Sequence, residues 1–423
     1  MIRAIRGMKD ILPPETSRWQ WVETTARETF EVYGYREMRL PLLERTELFA
    51  RSIGADTDIV AKEMYTFTDR SGDSLTLRPE ATAQVVRACL ENGLIHGPGV
   101  KRYYLIGPMF RYERPQKGRY RQFHQINCEA LGSDAPELDA EVIIMLLDLL
   151  ARLGLAEMRL LVNSLGCPEC TKDFKSQLKL YLAAQEGWCD DCRRRREINP
   201  LRVLDCKSQH CQALLAGAPV MEDSLCEDCA RHYGRVLGLL RAAGVAYEKN
   251  PRLVRGLDYY TRTTFEVTAP RLGAQDAVAG GGRYNGLARE LGGPDLPGLG
   301  FAIGEDRLLE ALPPEAGPAP RPLTFVAVLG DAAKERGFFL LQELRNRGLA
   351  AAMDFEGRSL KSQMSLADRL GAAFVVILGE AELASGQAVL RRMATGSQEA
   401  LPLNELVPVL VARAGNKEGN ERA

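Results

Sequence analysis

Apolar positions recur along the chain with two periods, and the changes of period mark out its elements. Ser17 to Val32 spaces them as a helix does and closes at Tyr33-Gly34-Tyr35, where Gly34 can take the left-handed cap conformation. Arg39 to Leu43 reads as an extended segment broken by Pro41, and Leu75 to Arg78 as a strand closed by Pro79. A helix follows from about Ala81 to Leu90. Tyr103 to Ile106 and Gln122 to Glu129 are two more strands around a polar, basic turn, which predicts an antiparallel hairpin with a long loop. Glu137 to Leu153 is a mostly apolar helix closed by Gly154.

Cysteine and charge interrupt this rhythm at about 167–232, which reads as an insertion with its own scaffold. The earlier style resumes near Leu253 and runs to about Leu312, where Pro313 to Pro320 forms a semi-rigid linker. Beyond it, Thr324–Leu329 and Ala373–Leu378 are compact β-branched runs. With helical stretches such as Lys334 to Arg347 they predict a small α/β domain with a partly parallel sheet; the last ten residues read as a polar, frayed end.

Composition changes the picture only a little. Lys+Arg number 55 and Asp+Glu 56, so any contact with nucleic acid has to come from local basic patches. No apolar run approaches the roughly 20 residues of a membrane helix, and the N-terminus lacks a secretory apolar region, so a cytoplasmic protein is expected. Cys167/Cys170, Cys189/Cys192 and Cys226/Cys229 are C-x-x-C pairs, with Cys206/Cys211 a looser fourth. Cys167, Cys170, Cys189 and Cys192 carry the spacer of a four-thiolate zinc pattern, about 15–20 residues, and Cys206/Cys211 with Cys226/Cys229 would make a second site. The alternative is reduced thiols kept for packing.

Five stretches carry candidate chemistry. Arg111 to Arg121 holds five cations to one carboxylate, with tyrosines interleaved, a composition suited to phosphates and stacked bases or simply to a solvated hairpin tip. Glu80 and Thr82, at a strand-to-helix junction, can bind an ammonium group or cap the helix. Gly280-Gly281-Gly282, before Arg283 and Tyr284, lets the backbone approach a ligand and reads as loop rather than strand, because glycine loses so much entropy when fixed. Gly298 to Leu309 runs from a small-residue strand into an acidic helix start carrying Arg307. Arg255-Gly256-Leu257-Asp258-Tyr259-Tyr260 sets a cation beside two tyrosines.

Together these stretches resemble the class II aminoacyl-tRNA synthetases, and specifically the bacterial-type histidyl-tRNA synthetase family. Tyr33 to Arg87 is similar to its motif 1 region, Phe110 to Glu129 to motif 2, and Gly298 to Leu309 to motif 3; Leu253 to Thr261 and Ala279 to Gly286 are similar to its histidine-specific elements. The resemblance implies an α+β fold. An antiparallel-sheet catalytic domain (1–166 and 251–312) would carry a helical, cysteine-rich insertion (167–250) and a C-terminal α/β anticodon-binding domain (321–423). It implies that L-histidine is activated with ATP and Mg²⁺ and transferred to tRNA(His) by a homodimer.

By the same resemblance Arg255 and Arg111 are catalytic. Glu80, Thr82, Arg111, Gln125, Glu129, Arg255, Tyr259, Tyr260 and Tyr284 would bind histidine. ATP falls to Arg111, Glu113, Arg119, Phe123 and Arg307, and the tRNA acceptor end to Gln116 and Arg119. Ala81 departs from the pattern, standing where many relatives carry glycine. The competing resemblance is to the regulatory subunit of ATP phosphoribosyltransferase, a histidine-binding paralogue without the anticodon-binding domain or the Arg255 position.

Overall fold

The two strands flanking the basic turn pair antiparallel from end to end, Lys101–Phe110 against Gln122–Leu131. They belong to an eight-stranded sheet. Its order is Arg36–Glu37, Lys101–Phe110, Gln122–Leu131, Gly298–Gly304, Ala277–Arg283, Thr261–Thr268, Arg159–Ser164 and Glu248–Lys249. Only the two-residue strands at the edges pair parallel. The structure is a computed structural model that describes residues 2–54, 57–116, 118–273, 276–318 and 322–415. Lys117 of the basic loop, Ala319 and Pro320 of the linker and residues 416–423 of the polar end lie outside the described residues.

One face of the sheet is the main core. Ile126, Cys128, Phe265, Val267, Phe301 and Ile303 point into it and meet the helices Glu15–Val32 and Pro136–Arg152. Those helices lie within a few residues of where the apolar spacing predicts them. Arg283, fully buried, fastens the sheet to the second helix: its guanidinium donates to Asp139, and to the carbonyls of Ser133 and Ala135 at 2.9 Å each.

The glycine triplet is a correction. Gly280, Gly281 and Gly282 lie in the Ala277–Arg283 strand, between two antiparallel neighbours. Packing outweighs the entropy here, since a Cβ on Gly281 would collide with the Gly300 carbonyl and with Phe265 and Phe301.

The insertion builds a second core from Phe174, Leu178, Leu182 and Trp188, with most of the cysteines around it. Its last helix, Glu227–Ala242, belongs to both cores, for Tyr233, Val236, Leu237 and Leu240 pack in the main one. The grouping of Cys167/Cys170 with Cys189/Cys192 does not occur. Helix Pro168–Ala183, 16 residues and so about 24 Å long, carries the chain away from Cys170 before Cys189 is reached. The sulfurs gather instead as Cys167, Cys170, Cys226, Cys229 and as Cys189, Cys192, Cys206, Cys211.

The chain divides into two compact units, Met1–Pro318 and Ala319–Ala423. The second has a five-stranded sheet in the order Ala350–Met353, Leu323–Val328, Ala372–Leu378, Gln387–Arg392, Gln398–Pro402, with the first three strands parallel and the rest antiparallel. Buried Gln363 bridges its helix to this sheet, accepting from Val328 N–H at 3.0 Å and donating to Val328 O at 2.8 Å. Among the described residues no helix is long and apolar enough to cross a membrane.

Candidate active site

The other face of the large sheet is paved with small residues. Glu129 is in register with Gly300, and Gly300 with Gly282; one row over, Asn127 faces Ala302, which faces Gly280, which faces Glu266; beyond that Gln125 lies between Gly107 and Gly304. Residues in register across a sheet point the same way, so this floor is nearly bare and four polar side chains stand on it. A side chain at Gly300 would overlap the Glu129 carboxylate, and one at Gly280 the Arg255 guanidinium.

Glu129 is 1% exposed, and burial pushes its carboxyl up to about 8, against the pull of two hydroxyl donors. Thr82 Oγ1 donates to its Oε1 at 2.7 Å and Tyr284 Oη to its Oε2 at 2.5 Å. Glu80 is turned to the helix Thr82–Glu91, where its carboxylate accepts from the backbone N–H of Thr82 (2.6 Å) and Ala83 (3.0 Å), the cap that its sequence position allowed. It also accepts from Tyr259 Oη at 3.4 Å, and burial raises its pKa. Ala81 is fully buried against Leu105 and Met109, so its methyl group is accommodated. Tyr259 packs on Tyr260, with ring centroids 4.8 Å apart, and edge-on against Tyr284 at 5.8 Å. Glu80, Thr82, Glu129, Tyr259, Tyr260 and Tyr284 therefore form one interlocked cluster.

Arg255 reaches the floor from beyond this cluster. Its Nη1 donates to Glu266 at 2.8 Å, its guanidinium lies 5.7 Å from the Tyr260 ring, and its buried Nε has no partner among the described residues. Gln125 Oε1 and Asn127 Nδ2 are likewise buried without partners there. Burying unpaired polar atoms is unfavourable, so three of them on one bare floor point to a ligand with complementary groups.

At the hairpin end, Arg111 donates from Nε to Pro79 O at 2.9 Å and lies 5.2 Å from the Phe123 ring. Arg307 donates to Gly118 O (3.1 Å) and Ala277 O (2.8 Å), which fixes it against the hairpin loop. Arg119 pairs with Glu113 at 3.1 Å, and Gln116 and Arg119 exchange two backbone hydrogen bonds in an exposed turn. A cleft of about 1040 Å³ adjoins the tyrosines, lined by Tyr259, Tyr260, Arg262 and Asn285 and, across from them, by Lys172 and Lys175 of the insertion.

Two residues of this floor escaped the sequence reading. Asn127 alternates with Gln125 and Glu129, a period-two signal that marks it as facing the same way. Glu266 carries no such signal, because its link to Arg255 depends on the pairing of its strand with Gly280.

Residues 7–308 match the family described as Histidyl-tRNA synthetase, and residues 324–413 match the Anticodon binding domain. The chain belongs to the histidyl-tRNA synthetase family. It is 51% identical to the Histidine--tRNA ligase of Desulfosudis oleivorans over 423 residues, covering 99% of this chain and 100% of that one. With the Histidine--tRNA ligase of Geobacter sulfurreducens the identity is 52%, over 95% and 98% of the two chains. Apo histidyl-tRNA synthetase of Staphylococcus aureus superposes with a TM-score of 0.82 at 36% identity, over 97% of this chain and 100% of that one.

The fold is thus that of a class II synthetase of the histidine family. A Bacillus halodurans structure titled ATP phosphoribosyltransferase regulatory subunit/histidyl-tRNA synthetase shares it at 19% identity, with a TM-score of 0.67 and coverage of 90% and 98%. That likeness concerns the fold alone. This chain carries both the anticodon-binding match and an arginine at position 255.

Proposed function

We infer that this chain is a histidine–tRNA ligase whose activation chemistry takes place on the glycine-paved floor. Histidine's carboxylate oxygen attacks the α-phosphorus of ATP, which enters as its Mg²⁺ complex. The bond to the bridging oxygen breaks, pyrophosphate leaves, and histidyl-adenylate remains. A hydroxyl of the terminal adenosine of tRNA(His) then attacks the acyl carbon and AMP leaves. The protein's task is to hold the reactants in line and to stabilise charge developing on phosphate.

The observation that carries this reading is Arg255, a cation held over bare Gly280 with an unpartnered Nε, next to the carboxylate–tyrosine cluster. In this arrangement Arg255 and Arg111 flank the α-phosphate. Phe123 offers a face to adenine, Arg307 holds the far phosphates, and Glu113 and Arg119 border the nucleotide. Gln125 Oε1 is an acceptor for the substrate ammonium beside Glu80 and Thr82. Glu129 and a hydroxyl of Tyr259, Tyr260 or Tyr284 satisfy the two imidazole nitrogens, so analogues without those hydrogen bonds are rejected. Gln116 and Arg119, on the exposed turn, face the acceptor end of tRNA. Residues 1–166 and 251–312 serve activation in this reading, 167–250 form the insertion, and 321–423 bind the anticodon.

The same reading makes the protein a cytoplasmic homodimer with zinc held structurally in its insertion. Ten unbridged cysteines fit a reducing compartment. An apolar face on the three-stranded sheet of Leu43–Arg45, Ser74–Leu77 and Tyr65–Thr68 supports the dimer, since Leu43 and Phe67 are 38% and 47% exposed there.

Histidine-dependent ATP–pyrophosphate exchange tests the activity. Arg255→Ala is expected to lower it at least about 100-fold, roughly 2.7 kcal/mol of barrier, while histidine still binds. A rate within about tenfold of wild type removes the role given to Arg255. Histidine binding by the unaltered chain without any exchange would instead favour the regulatory paralogue.

A further inference from the structure

Eight of the ten cysteines lie in the insertion and take no part in the chemistry above. They sit in two groups of four, and within each group the sulfurs all lie within 4.8 Å of one another. Cys167 and Cys170 Sγ are 3.5 Å apart, and Cys189 and Cys206 Sγ 3.9 Å. A disulfide needs about 2.05 Å. The edge of a tetrahedron with zinc–sulfur bonds of 2.3 Å is roughly 3.8 Å, so the sulfurs are spaced as ligands of one ion.

The backbone supports the same reading. Cys167, Cys189 and Cys226 each stand at the N-cap of a helix, with Cys170, Cys192 and Cys229 in its first turn. Both sulfurs of each pair thus meet the positive end of a helix, which offsets the excess negative charge of a four-thiolate site. Backbone N–H groups already donate to sulfur across each group, Cys226 to Cys170 at 3.1 Å and Cys189 to Cys211 at 3.5 Å.

We propose that the insertion holds two structural zinc ions with nested connectivity: an outer site of Cys167, Cys170, Cys226 and Cys229, and an inner site of Cys189, Cys192, Cys206 and Cys211. Four thiolates close each coordination shell, so neither ion has an open position for catalysis. The outer ion ties the start of helix Pro168–Ala183 to the start of helix Glu227–Ala242, where the insertion leaves and rejoins the main core. Cys167 also borders the cleft beside Tyr259 and Tyr260, so this ion fixes the cleft's insertion wall. The inner ion orders helix Asp190–Ile198, which pairs through Arg194 and Arg195 with Asp58 of the main body. The grouping deepens the structural zinc of the proposed function but does not depend on histidine activation.

Zinc content of the full-length protein, purified under reducing conditions without added metal, tests the proposal. Two equivalents per chain are expected, with X-ray absorption showing four sulfurs per zinc at about 2.3 Å. Under a tenth of an equivalent overturns the proposal, as does iron with its visible absorbance. The pairing is tested by Cys170→Ser combined with Cys226→Ser. Nested sites place both substitutions in the outer site and leave one equivalent bound, whereas sequential sites would lose both ions. Should that variant fail to fold, Cys189→Ser combined with Cys211→Ser makes the same distinction at the inner site. Pyrophosphate exchange measured in parallel keeps loss of metal distinct from loss of activation.

Discussion

Glu129 joins the residue-level chemistry to pH. Its carboxyl is raised to about 8 because it is buried, and the hydroxyls of Thr82 and Tyr284 only partly offset that burial. Its neutral form therefore contributes stability to the empty protein that is complete below about pH 4.3, the unfolded value, and fades as pH climbs through 8. Binding reverses the preference. In the proposed function a neutral imidazole donates its N–H to the ionised carboxylate, so histidine affinity should rise with pH and level off above about 8. Glu129→Gln should weaken histidine binding about tenfold or more and abolish the inflection near 8. Isothermal titration between pH 6.5 and 8.5 measures both, and an inflection that survives in the Gln variant would assign it to another group.

At the level of elements, the bare floor accounts for Gly280 and Gly282, whereas Gly281 between them faces the core against Phe265 and Phe301. Gly280 has an ordinary strand backbone, and the nearest atoms that an alanine methyl would meet there belong to the Arg255 guanidinium. Gly280→Ala is therefore expected to leave the melting temperature within a few degrees of wild type and to lower pyrophosphate exchange at least tenfold, about 1.4 kcal/mol of barrier. Equal losses of stability and activity would show that the glycine serves packing alone.

The same triplet shows what could be read from the chain and what could not. Helices and flanking strands were legible because their periods are local: Pro136–Arg152 and Gln122–Leu131 carry their own apolar faces. Gly280–Gly282 pointed to a loop because the compensating contacts, with Gly300 and Phe301, come from a strand later in the chain. Arg283 stayed hidden for the same reason, its partner Asp139 lying on a distant helix. The cysteine pairing failed more instructively. Spacing identified thiolate pairs, but a helix between Cys170 and Cys189 decides which pairs can meet. Of the candidate site, the residue types were legible and the period-two alternation with Gln125 and Glu129 marks Asn127, whereas Glu266 required the register of the sheet.

For the whole molecule the remaining question is what covers the three-stranded sheet. Its pairing puts Leu43, Leu77 and Tyr65 in one row and Arg45, Leu75 and Phe67 in the next, all on one side, while Thr66 and Thr76 share the other through hydrogen bonds with each other and with Thr46. Leu43 and Phe67 are both exposed there, so an apolar strip beside Arg45 faces outward. A patch of this kind on a sheet edge is a liability in a monomer and an asset in a symmetric dimer, where the same surface is used by both copies. Phe67→Asp would bury an unpaired charge twice across such an interface. At roughly 3 kcal/mol for each copy, the dimer constant should weaken by about four orders of magnitude. Sedimentation velocity at micromolar concentration should find the wild-type protein at twice the chain mass and the variant mostly at the chain mass. A wild-type chain that sediments as a monomer would show that this face has another occupant.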